Sequence, residues 1–513
     1  MLERYLRPFA SGRGLQDQLH EQLLSALLDG ALLPTEPMPS SRHLSQLLKI
    51  SRNTVVLVYE RLVQDGFLTP ASRRGYFINE SFVRQRVRMR IQPDPQRLFA
   101  ASPHAPNWGA RLQHRPSLQP SITKPRNWRN YPYPFIYGQV EYDDHVAARW
   151  RHCARLAHVR AHMGHWVDDQ VMHDDDMLVE QIVQRILPRR GIRACPQQVL
   201  ITIGTQNSLY LLAQLLGRPG VVLGMEDPGY VDARSIFAMA GCQMLPLRVD
   251  SQGLVPGPHL HHCDLVFCTP SHQSPTNATM PVYRRMDLIE RARQHDFLII
   301  EDDYDTEHNE LGGNHPALKS FDSSSHVIYL GSLSKNMIPG LRLGFIVADE
   351  VLVQELRALR RYMYRHPPLN NQRIMAIFLS MGYGDEHARR WRENLARKWQ
   401  RMVRALRTYL PECQYVEQPG GSSLWIQGPD ALDAWELQKL AARRGVLIEP
   451  GDVHFLELAP GVARPTQYFR LGFGAVPEDR IDAGMQALGQ AFEDWRQAHD
   501  HRAARPAPQA ADA

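Results

Sequence analysis

The chain has 513 residues, 43% of them hydrophobic and 22% charged, which suits a soluble protein of two or three domains. It lacks the roughly 18-residue apolar run of a membrane span, and the opening "MLERYLRPFASGRG" lacks the apolar core of a signal peptide. Six scattered cysteines with no CxxC pair exclude a disulfide framework, so a cytoplasmic protein is expected.

Net charge is +5, and residues 1–90 carry all of that surplus, with 13 Lys/Arg against 8 Asp/Glu. That bias permits a polyanionic partner for the first domain, set at 1–80. Leu15, Leu19, Leu23, Leu24, Leu27 and Leu28 recur at helical spacing up to Gly30. A second helix starts at Ser40 or Ser41, with Leu44, Leu47 and Leu48 as its apolar face. A third is capped by Ser51, turns Val55, Val58, Tyr59 and Leu62 inward, and ends at Gly66. "FLTPASRRGYFI" then reads as two short strands around a basic turn.

Three short helices and a basic hairpin are the parts of a winged helix-turn-helix. Ser51, Arg52, Asn53 and Thr54 stand at the end of the third helix that would enter a major groove. Arg42 is placed for a phosphate contact, and Arg73, Arg74 and Gly75 suit a wing tip. The line "PSSRHLSQLLKISRNTVVLVYERLVQDGFL" resembles the DNA-binding head of the GntR family of bacterial regulators over residues 13–78. Tyr76 departs from the small residue common there. The resemblance implies double-stranded DNA as partner.

Residues 81–130 are rich in Pro, Arg and Ser and read as a linker of about 50 residues, a coil reaching ~40 Å. Residues 499–513 read as a disordered tail. Between them, 131–498 alternates helices with the short apolar runs "QVLITI", "GVVLGM", "DLVFCT", "FLIIED", "HVIYLG" and "LRLGFIVA". This is an α/β pattern with a mostly parallel central sheet, whose ligands gather at the carboxyl ends of its strands.

The chemistry-bearing residues stand at those ends. Gly204, Thr205 and Gln206 open a helix and can hold an anion. Tyr230 can stack on an aromatic ring. Asp302 can keep a pyridinium nitrogen protonated, and Tyr304 can hydrogen-bond a phenolic oxygen. Ser332, Ser334 and Arg342 surround Lys335, whose amine can form a Schiff base with an aldehyde. Together these fit pyridoxal 5′-phosphate.

"SLSKNMIPGLRLG" and "IIEDDYDTE" resemble the signatures of fold-type I aminotransferases, and the resemblance covers most of 131–498. It implies that Lys335 carries the cofactor, that Asp302 meets the pyridine nitrogen, and that Tyr304 meets the ring oxygen. It also implies that Ser332 and Arg342 hold the phosphate and that Arg470 in "YFRLGFGAV" holds a substrate carboxylate. Two segments depart from that family. "SHQSPTNATM" replaces Asn-Pro-Thr-Gly and leaves His272, Gln273 and Ser274 as alternative ring contacts, with Ser274 at the asparagine's place. "WVDDQVMHDDDMLVEQI" replaces Tyr-Gly-Asp-Pro-x-Gly, which points to an unusual ligand or weak transamination.

A GntR-type head fused to an aminotransferase-like body resembles the MocR/GabR subfamily of transcriptional regulators. This implies a cytoplasmic, nucleoid-associated bacterial regulator, a head-to-tail homodimer on an operator of repeated half-sites. It would sense a small amino compound through aldimine exchange at Lys335; γ-aminobutyrate, taurine and a diamino acid are candidates by analogy. Two alternatives stay open: a working aminotransferase with an accessory head, and a sensor of the cofactor itself that regulates vitamin B6 genes. No metal is expected.

Overall fold

The computed structural model describes residues 6, 9, 14–28, 37–71, 74–79, 81, 106–305, 316–333, 335, 337–417, 420–457 and 463–503. The chain divides into two units, Met1–Leu112 and Gln113–Ala513. No helix among the described residues is long and apolar enough to cross a membrane.

The first unit holds helices α1 (Leu15–Leu28), α2 (Ser41–Leu48) and α3 (Arg52–Gln64), then an antiparallel hairpin, β1 (Leu68–Ala71) and β2 (Gly75–Ile78). Ser40 and Ser51 cap α2 and α3 by accepting from the backbone N–H groups of His43 and Thr54. Gly66, at φ 83°, turns the chain out of α3, and the Phe67 N–H then reaches back to the Leu62 carbonyl. Leu19, Leu23, Leu27, Leu44, Val55, Val58 and Leu62 make the core. Leu47, expected on the buried face of α2, is 46% exposed. Leu44 is in the core and Leu48, four residues on, packs partly against it, so Leu47 falls outside that stripe.

All six predicted strands enter one eight-stranded sheet. In chain order its strands are β3 (Val199–Thr202), β4 (Val222–Asp227), β5 (Gln243–Asp250), β6 (Gly253–Leu254), β7 (Leu265–Cys268), β8 (Leu298–Asp303), β9 (Val327–Ser332) and β10 (Gly344–Val347). Their order across the sheet is β3-β10-β9-β8-β7-β4-β5-β6. β9, β8, β7, β4 and β5 pair in parallel. β10 runs antiparallel to both β9 and β3, so β3 points the same way as β9. The carboxyl ends of β3, β4, β7, β8 and β9 therefore share one edge.

Alternation along each strand builds a core on either face. Leu200, Ile300, Ile328 and Ile346 pack with the helix Thr205–Leu216. Ile201, Tyr329 and Phe345 pack on the opposite side with the helix Leu369–Ser380.

A smaller antiparallel sheet follows, of β11 (Gln414–Tyr415), β12 (Ser423–Gln427), β13 (Glu449–Pro450) and β14 (Tyr468–Gly472) in the order β11-β12-β14-β13. It shares an apolar core with the helices Tyr383–Tyr409 and Ile481–Ala503. That last helix carries the chain past 499, where the tail was expected to begin. It is described as far as Ala503, and the rest of the expected tail, 504–513, lies outside the described residues. Residues 113–130, expected in the linker, belong to the second unit. Their polar composition hides side chains that find partners there, Lys124 above all.

Candidate cofactor pocket and nucleic-acid interface

On the first unit, Ser51, Arg52 and Asn53 are exposed at the amino end of α3, and Thr54 is half-buried. The Ser51 hydroxyl is engaged in capping: it accepts from the Thr54 N–H at 3.0 Å and shares a 2.7 Å bond with the Thr54 hydroxyl. Arg52 donates from Nε to the Ser41 hydroxyl at 3.2 Å, which ties the start of α3 to the start of α2. Arg42 is exposed one residue further along α2. At the hairpin tip Arg74 is exposed over the Phe77 ring, and Gly75 has a φ of 98° with open space where a Cβ would stand. Arg73 lies outside the described residues.

On the second unit, the shared strand edge opens into a cavity of ≈ 230 Å³. Lys335, in the turn after β9, donates from Nζ to the Tyr137 hydroxyl at 2.6 Å and sits 3.7 Å from the Tyr304 ring centroid. Burial lowers its amine to about 8, opposed by the carboxylates of Asp305 and Asp302. Asp302 is 3% exposed, and its Oδ1 has no hydrogen-bond partner among the described residues. Burial raises its carboxyl to about 7, against the pull of Lys335. Tyr304 follows β8 into the cavity; burial, and secondarily the Asp305 charge, pushes its phenol up.

The pleat decides which carboxylate of the run Glu301-Asp302-Asp303 faces the cavity. Glu301 and Asp303 turn to the other face. Glu301 accepts from the Leu318 and Lys319 N–H groups at 2.7 and 2.8 Å. Asp303 Oδ2 accepts from Arg190 Nε and from the Tyr329 hydroxyl, both at 2.8 Å. Asp302, between them, is left for the cavity.

Gly204, which like Arg342 is not among the cavity's lining residues, precedes the helix Thr205–Leu216 at φ 95°, ψ 165°. A Cβ on Gly204 would lie 2.6 Å from Arg342 Nη2, so the guanidinium occupies the space that glycine leaves free. Thr205 lines the cavity. Gln206 does not: its amide turns away to donate to Asp232 Oδ2 at 2.8 Å. The Tyr230 hydroxyl donates to the same oxygen at 3.2 Å, which steadies that ring at the cavity wall. Ser332 is half-buried at the end of β9 and is not among the lining residues; Ser334 lies outside the described residues.

Of the three alternatives in "SHQS", only Ser274 lines the cavity. The Gln273 amide is spent on Glu226 Oε2 at 3.1 Å and on the Pro228 and Ser274 carbonyls at 2.8 and 2.9 Å. His272 packs against Gly420, where a Cβ would meet its Cε1 at 2.8 Å.

Arg470 lies on β14 opposite Glu449 on β13. Its Nε donates to Glu449 Oε2 at 2.9 Å, both side chains being almost fully buried. Its guanidinium covers the Tyr137 ring at 4.1 Å. Sequence reasoning missed Tyr137, Asp232, Glu449, Ile122 and Lys124. None stands beside a recognisable motif, and Ile122 and Lys124 lie where the composition reads as linker.

These residues fit pyridoxal phosphate. Asp302 Oδ1 is a buried acceptor with no donor among the described residues, as a protonated ring nitrogen requires. The missing Cβ of Gly204 lets the Arg342 guanidinium come up to the start of the helix Thr205–Leu216, and a cation at a helix start suits a phosphate.

Residues 15–78 match the bacterial regulatory proteins of the gntR family, and residues 154–488 match aminotransferase class I and II. The regulator TauR of Rhodobacter capsulatus is 38% identical over 95% of this chain and 98% of its own length. The chain belongs to the MocR-type transcriptional regulators of the GntR family. The probable rhizopine catabolism regulator MocR of Rhizobium meliloti is 29% identical over 93% of both chains. In such regulators a DNA-binding head is joined to an aminotransferase-like body.

Among solved structures, the α-aminoadipate aminotransferase LysN of Thermus thermophilus superposes with a TM-score of 0.66 at 24% identity, over 76% of this chain and 97% of its own. The kynurenine aminotransferase of Pyrococcus horikoshii gives 0.67 at 22% identity, over 75% and 98%. The first is complexed with a phosphopyridoxyl-leucine and the second with PMP. The likeness establishes the fold-type I transferase architecture of the body.

Proposed function

We propose that this regulator binds, as a homodimer, an operator of repeated half-sites, and that its body holds pyridoxal 5′-phosphate and senses a small amino compound at Lys335. The observation that carries this reading is that one cavity is lined both by Lys335, an amine with lowered proton affinity, and by Asp302, a buried carboxylate whose Oδ1 has no hydrogen-bond partner among the described residues. Lys335 and Asp302 are the two groups that aldehyde chemistry on a pyridine ring asks for. Bound there, the cofactor supplies an aldehyde that condenses with a primary amine.

The chain's own residues do the rest. With its amine lowered to about 8, Lys335 carries a usable fraction of the neutral, nucleophilic form near neutral pH. Tyr137 accepts its hydrogen bond and orients it. Gly204, Thr205 and Arg342 seat the phosphate, Asp302 accepts the ring N–H, and Tyr230 and Ser274 border the ring. Arg470 offers its terminal nitrogens, which carry no hydrogen bond to a described residue, to an acidic group. Lys335 and an effector amine compete for one position. The body transmits the outcome to the head to the extent that its two arrangements bind the effector with different affinity.

The test is selection of fragments from the source genome by the cofactor-loaded protein, with and without a panel of amines, beside Lys335→Ala. The expected result is enrichment of a few fragments with repeated half-sites. An amine should alter that enrichment in the wild type and leave it unaltered in Lys335→Ala, which should also lose the visible absorbance of lysine-bound cofactor. Sustained product from an amino donor and a 2-oxo acid, with no fragment enriched, would replace the regulator reading by an enzyme. Enrichment that answers to the cofactor alone would replace it by a cofactor sensor.

A further inference from the structure

Lys124 comes from the polar segment that lies in sequence between the head and the body's first strand. Its neighbours Thr123 and Arg126 are exposed, but Lys124 is turned inward and lines the cavity beside Lys335 and Arg470. Its Nζ donates to the Tyr137 carbonyl. It stands 3.6 Å from Glu449 Oε1, and an ideal Cβ on Gly138 would also lie 3.6 Å from it.

Glu449 is thus shared. Its Oε2 takes Arg470 at 2.9 Å, while its Oε1 has no hydrogen-bond partner among the described residues and faces Lys124. Lys124 and Arg470 share the single Glu449 carboxylate, so within this buried trio the bases outnumber the acids, and burial lowers the Lys124 amine against the pull of Glu449. Burying an uncompensated charge is costly, and a single acidic group on an occupant brings the cluster to neutrality. The same lysine is felt at the centre of the site, where its charge is among those that lower the Lys335 amine.

We propose that Lys124 is a specificity-determining residue: with Arg470, and across the shared Glu449, it seats an acidic group borne by the effector amine. This rests on the amine-sensing reading and adds to it a recognition residue from outside the strand-end motifs, one that favours effector amines bearing an acidic group.

The experiment compares matched amines on the full-length, cofactor-loaded protein: straight-chain ω-amino carboxylates, the ω-amino sulfonates, and alkylamines of equal length. Binding is followed by calorimetry and by the change in the cofactor's visible absorbance. The quantity read is the affinity ratio of the acid-bearing amine to its plain counterpart within each variant. A loss of folding or cofactor therefore weighs on both arms.

The wild type should prefer one acid-bearing series. Lys124→Met should cut that ratio by roughly tenfold or more, the scale of one charge-assisted hydrogen bond. Lys124→Arg should keep most of it. The carboxylate and sulfonate arms decide which acid is preferred. A Lys124→Met ratio equal to the wild type's would overturn the proposal and leave Lys124 as a tether for its segment. A wild type that takes plain and acid-bearing amines alike would overturn it too. A cofactor-loaded wild type indifferent to every amine would remove the amine-sensing reading itself, and this inference with it.

Discussion

Replacing Gly204 by alanine tests the anion seat through its backbone. Gly204 sits at φ 95°, ψ 165°, a region that side chains other than hydrogen do not occupy without strain on the order of 1–3 kcal/mol. The new methyl group would also lie 2.6 Å from Arg342 Nη2 and 3.0 Å from its Cζ, closer than contact allows. The guanidinium must swing away from the helix start. Losing one charge-assisted contact to a phosphate is worth about 1.5–3 kcal/mol, so affinity for pyridoxal phosphate should fall roughly tenfold to a hundredfold.

The assay is titration of cofactor-free protein with pyridoxal phosphate, followed by absorbance, with thermal unfolding measured in parallel. Arg342→Ala and the double variant complete a cycle. Because the alanine methyl acts on cofactor binding chiefly by displacing Arg342, the double variant should bind no worse than Arg342→Ala alone, beyond what strain adds. Wild-type affinity in Gly204→Ala would refute the seat. Fully additive losses would refute the idea that the glycine works through the arginine.

Two further outcomes are expected. Arg52→Ala should weaken operator binding by ~1–3 kcal/mol if the side chain reads a base, and Ser41→Ala should weaken it less, through the lost bond that orients Arg52; footprint titration of both variants checks this, and an unchanged affinity for Arg52→Ala removes that residue from the recognition set. Asp302 holds its proton up to about pH 7 in the folded cofactor-free protein, far above the ordinary carboxylate value. Its contribution is therefore present in full below pH 4 and lost as pH rises through 7. Asp302→Asn should flatten the fall in unfolding temperature between roughly pH 4 and 7, and an unaltered profile would show that the carboxyl titrates normally.

The residues at the strand ends were legible because chemistry and secondary structure coincide there. A parallel strand must end at a turn on the same edge as its neighbours, so Gly204, Tyr230, Ser274, Asp302, Tyr304 and Lys335 fall into one group from the sequence alone. The head was legible for a similar reason: its core is local, and helical spacing alone picks out Val55, Val58, Tyr59 and Leu62. Local pattern failed where one turn of helix leaves the choice to packing, as at Leu47, and where a short hydroxyl had a nearer partner, as at Ser51.

What the sequence determined by itself is the pair of folds and the kind of chemistry, since periodicity, caps and strand-end residues act over a few positions. What only the tertiary structure decided is who shares the cavity. Tyr137 reaches Lys335 across 198 positions of chain, and Glu449 meets Arg470 only because two strands of the small sheet are in register. Lys124, embedded in linker-like composition, becomes a pocket residue because a carboxylate and a backbone carbonyl happen to stand within its reach. No short-range pattern encodes such meetings: they depend on long-range pairing, where a buried charge takes whichever partner the folded chain brings to it.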